Sequence, residues 1–169
     1  GIVDSGNVAV AGNVTLTTDA GNGVINMGTL QQSAGDLILN TNGNGAATVV
    51  NNAAIDFGTS NVGGALNVTA SAGTITQNGG ALTVAGTSAF TTSTNDQAIT
   101  LSNATNALTG AVAFTTGGTT GNVVIDNGTT ALDLAASTIN GTLTATGGAS
   151  AGIVDSGNVA VAGNVTLTT

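Results

Sequence analysis

The chain has 169 residues and a net charge of −8, carried by eight Asp with no Lys, Arg, His or Glu. Without a cationic side chain, nucleic acid, heparin and anionic lipid are excluded as electrostatic partners. With no Cys there is no disulfide or thiolate site, and no apolar run approaches the roughly 18 residues of a membrane-spanning helix.

Strand-like runs joined by Gly and Asn recur along the whole chain, each with a glycine ahead of an alternating pair. In order they read Val10-Ala-Gly12-Asn-Val14-Thr-Leu16, Ser33-Ala-Gly35-Asp-Leu37-Ile-Leu39, Val62-Gly-Gly64-Ala-Leu66-Asn-Val68 and Val84-Ala-Gly86-Thr-Ser88-Ala-Phe90. Leu108-Thr-Gly110-Ala-Val112-Ala-Phe114, Ile139-Asn-Gly141-Thr-Leu143-Thr-Ala145 and Val161-Ala-Gly163-Asn-Val165-Thr-Leu167 follow. The spacing of these glycines runs 23, 29, 22, 24, 31 and 22. Such a period marks a solenoid. The fold class expected is all-β: a parallel β-solenoid, or β-helix, right-handed by default. Each coil should hold about three short strands in about 22–31 residues. A third apolar strand precedes each glycine, as at Ile55-Asp-Phe57 and Leu132-Asp-Leu134.

Each glycine is read as a corner, where positive φ or close backbone approach excludes a Cβ. Because side chains alternate across a strand, the residues after it sort into columns. One inward column is Val14, Leu37, Leu66, Ser88, Val112, Leu143 and Val165; the next is Leu16, Leu39, Val68, Phe90, Phe114, Ala145 and Leu167. Phe90 and Phe114 fall on adjacent coils, placed to stack. The outward column of Thr17, Asn40, Thr69, Thr91, Thr115, Thr146 and Thr168 is a possible surface face.

Residues 1–18 recur unchanged as 152–169, an offset of 151. The whole chain reads as one continuous solenoid: 1–151 as a repeat unit of six coils, 152–169 as the start of the next. Six coils at about 4.8 Å each give roughly 29 Å per unit. With no initiator Met, the chain reads as an excerpt of a longer array. A blurred repeat at an offset of 77 matches Ser60–Thr69 to Ser137–Thr146, dividing the unit into two diverged triplets. The two long coils carry extra apolar runs at Val49-Val50 and Val123-Val124-Ile125, read as an added strand or loop on one flank.

Catalysis has few groups to work with. Asp56 and Asp133 occupy equivalent outward positions, and three coils between them give about 14 Å, too far for the carboxylate pair of a glycosidase. The chain is read as no enzyme. No cofactor is expected; calcium at a turn is the weak candidate, with Asp19, Asp36, Asp96 and Asp126 standing singly. Thr-x-Thr pairs at Thr15/Thr17, Thr144/Thr146 and Thr166/Thr168 raise ice binding as a minor reading. Asn-x-Thr triplets begin at Asn13, Asn67, Asn103, Asn127, Asn140 and Asn164, each a formal glycan acceptor.

These Gly/Asn/Thr/Ala-rich coils, lacking Cys and carrying long near-identical repeats, resemble the β-helical shafts of large bacterial surface exoproteins, the filamentous-haemagglutinin-like adhesins and autotransporter passengers. That resemblance implies a secreted, cell-surface rod that holds a binding tip away from the cell. Other copies of the repeat are expected as partners, end to end or lateral, because exposed terminal coils are unpaired edges; the resemblance adds a glycan or cell-surface ligand met outside this segment. Neither membrane insertion nor nucleic-acid binding is expected. The alternatives are a binding module using the Thr/Asn face and a self-assembling filament or sheath subunit. Absence of Lys and Arg also leaves no site for trypsin-like proteases.

Overall fold

The structure is a computed structural model that describes residues 1–19, 21–148, 150 and 152–169. Short strands alternate with tight turns, as the apolar/polar alternation requires. β1 (Ile2–Val3), β2 (Val8–Val10) and β3 (Val14–Thr17) form the first turn; β4 (Ile25–Gln32) and β5 (Leu37–Asn40) form the second. The third holds β6 (Ala47–Asn51), β7 (Ile55–Phe57) and β8 (Ser60–Val62), and the fourth β9 (Leu66–Ala70), β10 (Ile75–Gln77) and β11 (Leu82–Val84). Next come β12 (Ser88–Asn95), β13 (Ile99–Leu101) and β14 (Ala107–Leu108), then β15 (Val112–Gly117) and β16 (Val123–Asp126). β17 (Leu132–Leu134), β18 (Ser137–Ile139) and β19 (Leu143–Thr146) make the seventh turn, and β20 (Ile153–Asp155), β21 (Val159–Val161) and β22 (Val165–Thr168) the start of an eighth.

Every pairing is parallel, between one turn and the next. Ile2 pairs with Ile25, and the same line runs through Ala47, Leu66, Ser88, Val112 and Leu134 to Asp155. Its steps are 23, 22, 19, 22, 24, 22 and 21, so seven turns separate Ile2 from Asp155. One turn takes about 22 residues, at the short end of solenoid periods. The protein is an all-β parallel β-solenoid, with no helix among the described residues. Its strands fall into two eleven-stranded sheets. One, face A, contains β1, β4, β6, β9, β12, β15, β17 and β20, with β2, β18 and β21 beside them; the other, face B, contains the rest.

Seven turns replace the six coils counted by glycines. The glycine motif leads into face B at Gly12, Gly35, Gly141 and Gly163, but into face A at Gly64, Gly86 and Gly110. The two long steps, Gly35 to Gly64 and Gly110 to Gly141, are each close to one and a half turns, which carries the motif to the opposite face. The apolar runs in those steps are therefore ordinary strands rather than a flank: Val49 lies in β6 and Val123 in β16, both fully buried. By the same reasoning, the offset of 77 amounts to three and a half turns and that of 151 to seven. β7 and β8 lie on face B, while β17 and β18, their counterparts at the shorter offset, lie on face A. The third strand of the turn follows the same exchange. Face A is split in two by β1/β2, β17/β18 and β20/β21; face B is split by β7/β8, β10/β11 and β13/β14. The last residue of the expected unit, Ala151, lies outside the described residues.

The interior is aliphatic, with three rings at its centre. On face A, Met27, Val49, Val68, Phe90 and Phe114 stand one above another. Phe90 and Phe114 stack with centroids 5.9 Å apart, and Phe57 reaches across from face B to meet Phe90 edge-on at 6.3 Å. One core cluster runs without a break from Val14 to Ala145. Each turn buries its apolar groups only against its neighbours, so stability is a nearest-neighbour property of the stack.

Candidate functional site

Corners carry most of the specific chemistry of this chain. At Gly64, Gly86 and Gly110 the backbones of successive turns press together. A Cβ on Gly86 would lie 2.6 Å from the Gly64 carbonyl carbon and 2.7 Å from the Ala65 nitrogen, and one on Gly110 would meet Gly86 in the same way. Gly141 and Gly163 form a second such stack. Close approach therefore accounts for these corners. Of the seven motif glycines only Gly35 has positive φ, 81°, and Gly12, on the first turn, has nothing within 4 Å of its Cβ direction.

Buried amides do the rest of the corner work. Asn127 is fully buried; its Oδ1 accepts from Leu108 N at 2.8 Å, and its Nδ2 donates to Leu108 O at 3.0 Å and Ala131 O at 2.7 Å. It stands in for a backbone ladder where the strand has ended. Asn51 treats Gln32 identically, with bonds of 2.8 and 2.9 Å. Asn106 accepts from Leu82 N at 2.8 Å and joins its amide to that of Gln77 by two bonds, 2.8 and 2.9 Å. Burial removes Asn127 from the glycan acceptors suggested by its Asn-x-Thr triplet.

Hydroxyls complete the set. Thr18, Thr92 and Thr116 each donate Oγ1–H to the carbonyl five residues ahead, and Thr41 to that four ahead, closing the loop after the strand. Ser60 and Ser137 sit at the half-unit offset. Each donates to the carbonyl two residues back and accepts a main-chain N–H of the turn below, Leu39 at 3.1 Å and Phe114 at 3.0 Å. Repeated spacing carried the signal for the serines. For the inward Thr and Asn, abundance of both residues hid it. Ser88 Oγ is the exception: it is buried without a partner among the described residues, under Val112 and over Leu66.

The core columns read from the sequence are divided between faces. Val14 pairs with Leu37 and Leu16 with Leu39 on face B, and Leu143 with Val165 and Ala145 with Leu167 likewise. Leu66, Ser88 and Val112, with Val68, Phe90 and Phe114, belong to face A, where Val68 rests on Val49 and not on Leu39. The threonines divide in the same way. Thr69, Thr91 and Thr115 form a continuous column on face A, extended by Thr138, whereas Thr17 pairs with Asn40, and Thr146 with Thr168, on face B. The two half-turns concealed in the long steps are the physical reason.

Carboxylates act between turns. Asp4 accepts from Gly28 N at 3.0 Å, Thr29 N at 2.7 Å and Thr29 Oγ1 at 2.8 Å, gripping the bulge of β4 above it. Hydrogen bonds from the Thr29 hydroxyl and amide hold its pKa below the usual carboxylate range. Asp96, at φ 62°, receives Thr119 N at 2.7 Å and Thr120 N at 2.9 Å, and those amides lower its pKa in the same way. Asp126 closes its own turn by accepting from Gly128 N, 2.9 Å. Asp56 takes a bond from Thr76 Oγ1, 3.1 Å, on face B, while Asp133 lies on face A. The core separates these two, so they are not partners along one face. Among the described residues no three acidic side chains converge as a metal site.

Stacked parallel turns, close glycine corners and amide ladders between turns define a structural repeat protein of the β-solenoid class. Residues 44–115 and 120–169 match the family described as repeats of unknown function, DUF5649, and the chain belongs to that family. The matched stretches begin at Asn44 and Thr120, close to the half-unit offset. No curated protein and no solved structure matches the chain.

Proposed function

We propose that this chain is a rod segment of a long, repetitive, secreted surface fibre, in which stacked units space a binding end from a bacterial cell. The observation that carries the reading is closure of the repeat unit on seven turns. Residues 152–169 lie on the same faces as their copies in 1–18: β20 and β21 on face A, β22 on face B. Further units therefore add coaxially, each extending the rod by about 34 Å at the usual strand spacing. The role is mechanical and needs no cofactor.

Chains of two, four and six covalently joined units, imaged by electron microscopy, should lengthen in proportion at about 34 Å per unit. Lengths that fail to scale would refute a rod. Antibody labelling of intact cells tests the location, and signal confined to permeabilised cells would refute a surface fibre. The Thr69–Thr91–Thr115–Thr138 column supports a second reading, a glycan-contacting face, which saturable binding on a glycan array would favour.

A further inference from the structure

Asparagine followed by glycine can close on itself, because a residue without a Cβ lets its nitrogen approach the asparagine Cγ. The chain has six such pairs: Asn22-Gly23, Asn42-Gly43, Asn44-Gly45, Asn78-Gly79, Asn127-Gly128 and Asn140-Gly141. Attack needs a free side-chain amide, a free glycine N–H and room for the peptide between them to rotate. Stacked turns deny at least one of these at every pair but one. Asn22 Oδ1 accepts Asn44 N at 2.8 Å. The Asn42 carbonyl accepts Gly45 N at 3.0 Å, and Gly43 is wedged between Asn22 below and Gly63 above. That same bond occupies the Gly45 N–H that Asn44 would need. Asn127 is buried in its ladder, and Gly128 N donates to Asp126 at 2.9 Å. Asn140 Nδ2 donates to Thr116 O at 2.6 Å, and Gly141 O accepts Gly163 N at 2.8 Å.

Asn78-Gly79 stands apart. It follows β10 in the fourth turn, with turns packed on both sides, and both residues are exposed. Gly79 N–H and Asn78 O have no partner among the described residues, and nothing lies within 4 Å of the Gly79 Cβ direction. Flanking bonds, Asn78 N to Phe57 O at 3.1 Å and Asn103 Nδ2 to Gly79 O at 2.9 Å, hold the ends of the dipeptide while its middle peptide stays free to turn. The side-chain amide is tied by one long contact, Nδ2 to Asp36 Oδ1 at 3.5 Å, across the third turn. We propose that Asn78 is a site of spontaneous deamidation, with water as co-reactant. Gly79 N bonds to Asn78 Cγ as the Cγ–Nδ2 bond breaks, and the Gly79 amide proton leaves with Nδ2 as ammonia. Water then opens the cyclic imide at one of its two carbonyls, giving aspartate, or isoaspartate with the chain routed through the side-chain carbonyl. Either product sets a carboxylate beside Asp36, so a donor–acceptor contact between the second and fourth turns becomes a like-charge pair.

The aspartates of the chain supply the cleavage points for a test. An endoprotease that cuts before Asp releases 19–35, 36–55, 56–95, 126–132 and 133–154, which separates Asn78 from the other Asn-Gly pairs. The full-length chain is kept folded at mildly alkaline pH, which favours the attacking amide anion, and is then digested. Tandem mass spectrometry locates the amide-to-acid mass gain within each fragment. Fragment 56–95 should convert at Asn78 about tenfold or more faster than any other fragment, since clamped sites react only through local opening. In urea, where no clamp survives, the Asn-Gly pairs should convert at similar rates. Asn78→Gln should abolish the early acidic shift of the folded chain on isoelectric focusing. Conversion of 36–55 or 133–154 as fast as 56–95 in the folded chain would overturn the proposal. So would an Asn78 that keeps its amide in the folded chain while losing it in urea.

Discussion

Gly12 and Gly86 occupy the same tripeptide, Val-Ala-Gly, and neither has positive φ, yet alanine should be tolerated at one and rejected at the other. At Gly86 the new methyl would lie 2.6 Å from the Gly64 carbonyl carbon. Carbon pairs settle near 3.5 Å, so the corners must part by about 0.9 Å. The atoms in the way are backbone, and the displaced turn carries the Gly86 N to Gly64 O hydrogen bond of 3.1 Å. Overpacking of this kind costs about 1–3 kcal/mol, and a weakened inter-turn bond adds about 1 kcal/mol. Gly86→Ala should therefore destabilise by about 2–4 kcal/mol in urea unfolding followed by circular dichroism. Gly12→Ala meets nothing within 4 Å and should be neutral, or stabilising by up to about 1 kcal/mol through the unfolded chain. Hydrogen exchange at Val14 and Thr18, whose amides bond to Asp36 O and Asn40 O, checks that the first turn stays closed. Equal losses at the two sites, or none at Gly86, would refute close approach as the reason for these glycines.

Asn127→Ala leaves the buried Leu108 N–H and the carbonyls of Leu108 and Ala131 without this partner, so a loss of about 2–5 kcal/mol is expected. Asn103→Ala, at a surface turn, should cost less than about 1 kcal/mol in the same assay; equal losses would count against the ladder role. Acid should weaken the fold through Asp4 and Asp96. Their folded-state pKa values lie below the ordinary value of about 3.9, so their stabilisation is complete above that pH and drains away as pH falls through the depressed values. Asp96→Asn, which tolerates the same backbone region, should make the acid limb of a stability–pH curve shallower; an unchanged limb would show that the Thr119 and Thr120 contacts carry no charge-dependent stability.

Architecture was legible in the sequence because a solenoid writes its fold as a period, and the parity of inward residues survived every error of register. Leu37, Leu66, Phe90 and Leu143 all point inward as expected and are fully buried. Which face each occupies was not legible. A glycine motif looks the same entering either sheet, and only the two long steps, after Gly35 and after Gly110, betrayed the extra half-turn. Asn51 and Asn127 were invisible for a different reason. Their role rests on where a strand stops, and the surrounding sequence is full of Asn in turns. Asp4 gave no signal at all, since its partners lie 24 and 25 residues away.

A unit that ends on a whole number of turns turns copy number into a ruler. In the fibre proposed above, unequal recombination between units would insert or delete seven-turn blocks without disturbing either junction, so the length of the rod would change in fixed increments while every surviving contact is preserved. A slip by an odd number of residues would invert inside and outside at the junction, and such products would be eliminated by their failure to fold.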